Sequence, residues 1–464
     1  MNPWMRDPAY LDILADGTVK QINPFSGTEV WTVPRRGTRP LATADRAPRP
    51  LVPQDDAAYC PFCEKRYEDT PPEKARLLAP DPSAAAGEPD WAGRTVGFTT
   101  ASDMYATTAE FRRVPNLFEI LSFDYWRANY GYELPADLAE RARTYLSEEA
   151  GRRHVDRVLS AKLRAGGVAD PQPSAADLLA AAEGFFGSGH DLVVARRHFP
   201  QGARDDAVLA GSGTLTPAEH RRFIAFTIDA MRDLYWRNRY VRYVTVFQNW
   251  LKPAGASLDH LHKQLVAIDE HGVGYELALG ALRADPEAFN ERGANYAAYK
   301  NLVIAENDWA LAFAGFGHRY PTIEVFSKSE APDPWNHTPQ ELAGMADLLH
   351  AMHAATGPSI PTNEEWHSRP VDATLPMPWR IMLKWRVSTV AGFEGATKIY
   401  LNTIDPYALR DRMVPELFRL RAAGLIAPEI RIATEATCRP NPLAYTANRG
   451  AVRGGAGSAA RQGG

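Results

Sequence analysis

Apolar and polar positions change period several times along this chain, and each change marks an element. HDLVVARRHF (190–199) and YVRYVTVFQN (240–249) are dense in β-branched and aromatic residues and read as strands. Between them Thr216-Pro217-Ala218-Glu219 opens a helix as a capping box with proline in the first turn. Ile224, Ile228, Met231 and Tyr235 then recur at helical spacing on one face. A small-residue loop follows and runs into DHLHKQLVAI (259–268). In an extended strand side chains alternate between faces, so His260, His262 and Gln264 are expected on one surface, with Leu261 and Leu265 on the other.

The second half repeats this grammar. IEVFSKS reads as a strand, TPQELAGMADLLHAMHAATG as an amphipathic helix capped at Thr338, and PWRIMLKWRVSTVAGFEGATKIYLN as further strands. The order of elements implies an α+β chain of two tandem, similarly built halves: 1–270, interrupted by a helical insertion at about 124–188, and 271–445. INPFSGTEVWTV carries the Asn-Pro and Ser-Gly punctuation of a hairpin. Thr70 to Gly97, rich in Pro, Ala and Asp, reads as a surface loop, and 446–464 is too poor in apolar residues to pack and is expected to be disordered.

Composition narrows the class. The chain has 464 residues, 45% of them hydrophobic, enough for one large or two ordinary cores. Its formal charge of -4 provides no overall positive field to recruit nucleic acid or an anionic membrane, so any phosphate site must be local. The N-terminus lacks the blocks of a secretory signal and no run reaches bilayer length, which places the protein in the cytoplasm.

Only three cysteines are present, which argues against a disulfide framework in a reducing compartment. Cys60-Pro61-Phe62-Cys63 offers two thiolates to a metal, and two further ligands must come from elsewhere. His190, His198, His260 and His262 are the best supply. A redox pair or two incidental cysteines are the competing readings of CPFC, and Cys438 reads as a plain free thiol. A neutral imidazole held in one tautomer is a good nucleophile toward phosphorus, and a neighbouring amide such as Gln264 orients a phosphoryl oxygen without adding negative charge. No Walker glycine loop and no acidic pair for magnesium stand out, so a kinase reading is poor.

PAGASLDHLHKQLVAI resembles the active-site segment of the galactose-1-phosphate uridylyltransferases, a branch of the histidine-triad superfamily in which Gly-x-Ser-x-x-His-x-His-x-Gln is typical. INPFSGTEVWTVPRRGTRP, CPFC, FRRVPNLFEIL, HDLVVARRHF, VFQN and VAGFEGATKIYLN resemble further family segments in the same order, so the resemblance spans roughly residues 10 to 410, with a divergent stretch from Glu270 to Tyr320. It implies histidine-triad-like halves with antiparallel sheets and packed helices. It implies that His262 is the nucleophile on the α-phosphorus of a nucleoside diphosphate sugar, that Gln264 bonds the transferring group and Ser257 the phosphates, and that Cys60, Cys63, His198 and His260 ligate structural zinc, His190 being the weaker candidate. Arg36 and Arg39 would meet phosphate oxygens, Asn116 and Phe118 the nucleoside; Asn249 would lie near the nucleophile, and Phe393 and Glu394 near the sugar.

On this resemblance the chain is a nucleotidyltransferase that moves UMP between a nucleotide sugar and a sugar phosphate through a covalent nucleotidyl-histidine. A dinucleoside polyphosphate phosphorylase and a non-catalytic zinc-stabilised nucleotide-binding protein are the alternatives. Neither nucleic acid nor membrane is an expected partner, and the second half leaves room for a homodimer interface. Where many relatives carry His-x-His on a late strand this chain has Pro378-Trp379-Arg380, so a second metal site is not expected.

Overall fold

The computed structural model describes residues 10–34, 48–52, 55–78 and 93–447. The chain forms two compact units, one from Met1–Asp45, Asn249–Ala256 and His271–Gly464, the other from Arg46–Gln248 and Ser257–Glu270.

The first unit begins with β1 (Leu11–Ile13), β2 (Val19–Ile22) and β3 (Glu29–Thr32), an antiparallel meander. The expected hairpin lies between β2 and β3. Asn23 Oδ1 accepts the N–H groups of Phe25 and Ser26 at 3.0 and 2.9 Å, and Gly27 takes φ +68°, which glycine adopts without strain.

The second unit is built on β4 (Ala75–Leu78), β5 (Arg94–Val96), β6 (Ala109–Pro115), β7 (His190–Ala195), β8 (Tyr243–Trp250) and β9 (His262–Ile268). Their order in the sheet is β8-β9-β7-β6-β4-β5, antiparallel at every pairing. Register decides what each face carries. Val194 pairs with His262, Leu192 with both Gln264 and Val114, and paired residues project to the same side. One face therefore presents His262 and Gln264 over a floor of Val114, Leu192 and Val194, with Phe62 packed against it. The other is covered by the helix Pro217–Arg237, whose Thr216–Glu219 capping box forms as the spacing predicts. Its Ile224, Ile228 and Met231 are buried, and Phe223 stacks on Phe111 with centroids 4.8 Å apart.

Charge is buried under this face as well. Asp191 is fully buried and receives Lys74 Nζ at 2.7 Å and Arg113 Nη2 at 2.6 Å, and Arg113 Nη1 also reaches Asp233 at 2.7 Å. The segment read as a surface loop from Thr70 to Gly97 instead contributes β4 and β5. Its charged residues conceal the strand because they are paired inside: Arg76, fully buried, donates to both oxygens of Glu73 at 2.7 and 2.9 Å and to Met104 O and Thr107 O. Residues 79–92 of that stretch lie outside the described residues.

The helical insertion is four helices, Phe123–Tyr130, Ala136–Ser147, Glu149–Ala165 and Ala175–Gly187. They close their own core around Tyr145, Val155, Ala182 and Phe186. His154 fastens it to the segment ahead of β4, donating Nε2–H to Thr70 O at 2.8 Å while Nδ1 accepts from the Tyr145 hydroxyl at 2.6 Å.

The first unit resumes with β10 (Val303–Glu306), β11 (Ala310–Gly315), β12 (Thr322–Ser327), β13 (Thr362–His367), β14 (Arg380–Trp385), β15 (Ile399–Leu401) and β16 (Arg431–Ile432). β15 adds in parallel to β3, and the others order as β16-β10-β11-β12-β14-β13. The sequence of strand β12, helix Pro339–Thr356, strand β13 and strand β14 therefore reproduces β7, helix Pro217–Arg237, β8 and β9, down to the last strand lying between the other two. The chain is α+β with large antiparallel sheets, as the pattern implies. Among the described residues no helix is long and apolar enough to cross a membrane.

We expect Asp191→Ala to leave two cations buried beside an empty position and to cost about 3–5 kcal/mol. Urea unfolding at neutral pH measures it, and a change below about 1 kcal/mol would mean that Lys74 and Arg113 do not depend on that carboxylate.

Candidate active site

The loop between β8 and β9 sets up the chemistry. Leu251 and Gly255 both take positive φ, +67° and +91°, so the chain doubles back before β9 begins. His260 lies two residues before the regular strand begins, and strict alternation does not govern it. Its ring turns toward the cysteines, whereas His262 and Gln264 stay on the sheet face. The three polar groups expected at one spot therefore divide into one side chain among the thiols and two on the sheet face.

Cys60, Cys63, His198 and His260 bring one donor atom each to a common centre, all four atoms within 4.8 Å of one another and every residue buried. The Sγ atoms are 3.7 Å apart, and Cys60 Sγ lies 3.3 Å from His260 Nδ1. Cys63 Sγ lies 3.8 Å from both His198 Nδ1 and His260 Nδ1, and the two Nδ1 atoms are 3.2 Å apart. A tetrahedral ion with metal–sulfur bonds of about 2.3 Å and metal–nitrogen bonds of about 2.05 Å has edges of roughly 3.8 Å (S to S), 3.6 Å (S to N) and 3.3 Å (N to N). Five of the six edges fall within about 0.3 Å of those lengths. His260 Nε2 lies 2.6 Å from Ala195 O, so the proton sits on Nε2 and the Nδ1 lone pair faces the thiols. The Cys60 Sγ–H group beside Cys63 draws the Cys63 thiol far below its usual range, with His198 and His260 adding to the effect, so thiolate is already favoured here. His198 is wedged between the rings of Tyr59 and Phe199.

His262 is set by its neighbours. Its Nδ1–H donates to the carbonyl of His260 at 2.7 Å, which places the Nε2 lone pair at the opposite end of the ring. Burial pushes its pKa down to about 4, so the imidazole is neutral near pH 7. The ring of Phe62, the apolar residue of CPFC, meets it edge-on at 5.1 Å. Gln264 Oε1 lies 3.2 Å from His190 Nε2. His190 also contacts Asn116 Nδ2 at 3.1 Å and accepts Ile120 N–H on Nδ1 at 3.2 Å. His190 is thus placed with the glutamine, and His198 with the thiols.

Asn116 Oδ1 accepts Phe118 N–H at 2.9 Å, and the side chains of Phe118 and Ile120 stand 62% and 64% exposed. Two bare apolar groups beside the His262 face are available to a planar ligand. Ser257 is exposed in the loop before β9. Asn249, Phe393 and Glu394 belong to the other compact unit. Asn249 Oδ1 accepts Asn363 Nδ2 at 2.7 Å, and Asn363 is itself held by Arg386 Nη1 at 2.6 Å. Glu394 is buried and caps its own short helix through Ala391 N–H at 3.0 Å, and Phe393 is half exposed. Arg36 and Arg39 lie outside the described residues.

Sequence reasoning missed Phe62 and the position of His190. Both signals were present: Phe62 sits inside CPFC, and His190 leads a strand whose alternate residues, Leu192 and Val194, form the floor beside His262 and Gln264.

Replacing Cys60 by Ser should lower bound metal and thermal midpoint together, by about 2 kcal/mol or roughly 4–8 °C, because ion binding and folding are linked. Elemental analysis paired with calorimetry measures both. Full metal occupancy in the variant would remove Cys60 from the ligand set.

Three likenesses to known proteins frame this geometry. Over 177 residues the chain is 27% identical to the ADP-glucose phosphorylase of Arabidopsis thaliana, a match covering 36% of this chain and half the length of that curated relative. The solved structure of an ADP-glucose phosphorylase from Arabidopsis thaliana with bound ADP-glucose superposes with a TM-score of 0.55 at 19% identity, covering 85% of this chain and 97% of that one. A galt-like protein from the same plant gives 0.51 at 18% identity with the same coverage. Residues 14–445 match a family described as a domain of unknown function, DUF4921. The chain belongs to that family, and it shares the fold of the ADP-glucose phosphorylase and galt-like structures.

Proposed function

We propose that this protein is a nucleotidyltransferase that takes a nucleoside monophosphate from a nucleoside diphosphate sugar onto His262 and passes it to a phosphate-bearing acceptor. The observation that carries this reading is the tautomer of His262: a neutral ring, its proton committed to the His260 carbonyl and its Nε2 lone pair uncommitted.

In the first step the Nε2 lone pair attacks the α-phosphorus. The Nε2–P bond forms as the bond from the α-phosphorus to the bridging oxygen breaks, and sugar 1-phosphate leaves with that electron pair. In the second step an acceptor phosphate oxygen attacks the same phosphorus and the P–N bond returns its electrons to the ring. Gln264 orients a non-bridging oxygen in both steps, and Ser257, Arg36 and Arg39 meet the remaining phosphate oxygens. Phe118 offers its exposed face to the base, and Phe393 and Glu394 are assigned to the sugar.

Zinc is the ion we assign to Cys60, Cys63, His198 and His260, whose mixed thiolate and imidazole donors suit it. When bound it cross-links CPFC to the segment carrying His262 and neutralises the thiolates. The reacting atoms do not include it.

The acceptor decides between two versions. A sugar 1-phosphate acceptor makes the enzyme a uridylyltransferase-like exchanger; inorganic phosphate makes it a phosphorylase that releases a nucleoside diphosphate. The likeness to a phosphorylase of ADP-glucose favours the second, with adenylate ahead of uridylate as the transferred group.

Intact-protein mass after incubation with ADP-glucose, and separately with a panel of UDP-sugars, tests the reading at neutral to alkaline pH, where a phosphoramidate survives. We expect a gain of one nucleoside monophosphate whose mass names the base, discharged on adding phosphate. His262→Gly should form no adduct yet keep its metal. An adduct that persists in that variant would place the nucleophile elsewhere, and metal loss would mean that the two histidine roles are reversed.

A further inference from the structure

The site contains one buried polar side chain that the two-step reaction does not use, His190, only 2% exposed at the start of β7. Its partners fix more than its own ring. The Ile120 backbone N–H, which can only donate, points at Nδ1 at 3.2 Å. Nδ1 must therefore carry the lone pair, and the single proton of the neutral ring sits on Nε2. That proton needs an acceptor, and Gln264 Oε1 lies 3.2 Å away.

Asn116 does not compete for it. Its Oδ1 is taken by Phe118 N–H at 2.9 Å, so its NH₂ stands beside the ring at 3.1 Å. The opposite tautomer would suit Asn116 alone and would set the ring N–H against the Ile120 N–H. A carboxamide can rotate away from such a conflict and a backbone amide cannot. Burial disfavours the doubly protonated ring, which would have no acceptor at Nδ1.

We infer that His190 is a positioning residue: by donating Nε2–H to Gln264 Oε1 it locks the Gln264 carboxamide with its NH₂ directed away from the ring, as the donor offered to the transferring phosphoryl group. This rests on the reaction proposed above and adds what decides the sense of the amide. A terminal amide has two nearly isosteric orientations, and the wrong one would present an oxygen to a phosphate oxygen. The same residue tethers the segment bearing Phe118 and Ile120, its ring through Ile120 N–H and its backbone carbonyl through Asn116 N–H at 2.8 Å. One residue thus registers the nucleotide segment against the glutamine.

The test compares adduct formation with ADP-glucose, or with whichever donor of the panel labels the protein, in wild type, Gln264→Ala, His190→Phe and the double variant. Gln264→Ala should slow the step by about 10²-fold, the size of one lost oriented donor. His190→Phe should slow it by about tenfold, and by no further factor in the Gln264→Ala background, since His190 acts through that side chain. Donor affinity, measured in the His262→Gly background, should change by less than about threefold, and metal content should not change.

His190→Gln, which keeps an N–H donor, should recover most of the rate and guards against a poorly folded Phe variant. Independent slowing in the double variant, or a wild-type rate in His190→Phe, would overturn the inference. A second measurement does not depend on turnover: long-range proton–nitrogen correlation spectra of the wild-type protein at pH 7 should show His190 as the neutral Nε2–H tautomer. An Nδ1–H or doubly protonated ring would refute the assignment. Absence of any adduct in wild type would instead strike the proposed function, leaving the tautomer spectrum to judge His190 by itself.

Discussion

The hydrogen bond from His262 Nδ1 to the carbonyl of His260 is the contact on which the rest of the site depends. It joins two roles across two residues. His260 is held by its ring among the thiols and by Nε2–H on Ala195 O, which leaves its carbonyl in one place. That fixed carbonyl takes the proton of the next histidine and directs its lone pair. A side-chain cluster thereby sets a tautomer through the backbone. Phe62 adds a second coupling, since one of the two residues between the cysteines is also the ring packed against His262. The cysteine–histidine cluster and His262 are one mechanical assembly, set beside the apolar floor of Val114, Leu192 and Val194.

Much of this was legible in the sequence because it is local. The capping boxes at Thr216 and Thr338, the Asn23 turn and the order of strands follow from short-range rules, and each forms as written. The four ligand candidates also lie in short readable segments. Three things were not legible, each because it depends on pairing over long range. Thr70 to Gly97 looked like a loop because charge in sequence suggests solvent, and only the fold shows Arg76 meeting Glu73 in the interior. Spacing alone did not split His260 from His262, which only the family resemblance did, since alternation assigns them the same face and the split depends on where β9 begins. The partnership of His190 with Gln264 spans 74 residues and follows from the register of β7 against β9, which no local pattern specifies.

The duplicated topology makes an internal comparison available. Arg380 opens β14 as His262 opens β9, and it is buried against Phe289, Phe25 and Phe326, with centroid distances of 4.8, 5.4 and 5.8 Å. A guanidinium is protonated at every ordinary pH and has no lone pair to give, so this position in the first unit packs rather than reacts. The same arrangement of elements thus supports a neutral histidine with a free ring nitrogen in one unit and a buried cation in the other, consistent with function residing in the site and not in the fold.

The span of the cysteine–histidine cluster bears on how the protein is made. Cys60 and His260 stand 200 residues apart, and Cys63 and His198 135 apart, yet their donor atoms come within 3.3 and 3.8 Å. Closing loops of that length is costly in chain entropy and favours late formation. During synthesis CPFC emerges long before its histidine partners, and the tetrahedral set is incomplete until residue 260 has cleared the ribosome. Until then the two thiols are an open chelate, accessible to whatever ion or oxidant the nascent chain meets. A metal ion bound by this cluster would therefore be selected at the end of β-sheet assembly, by closure around the ion, and not at the first encounter with the cysteine pair.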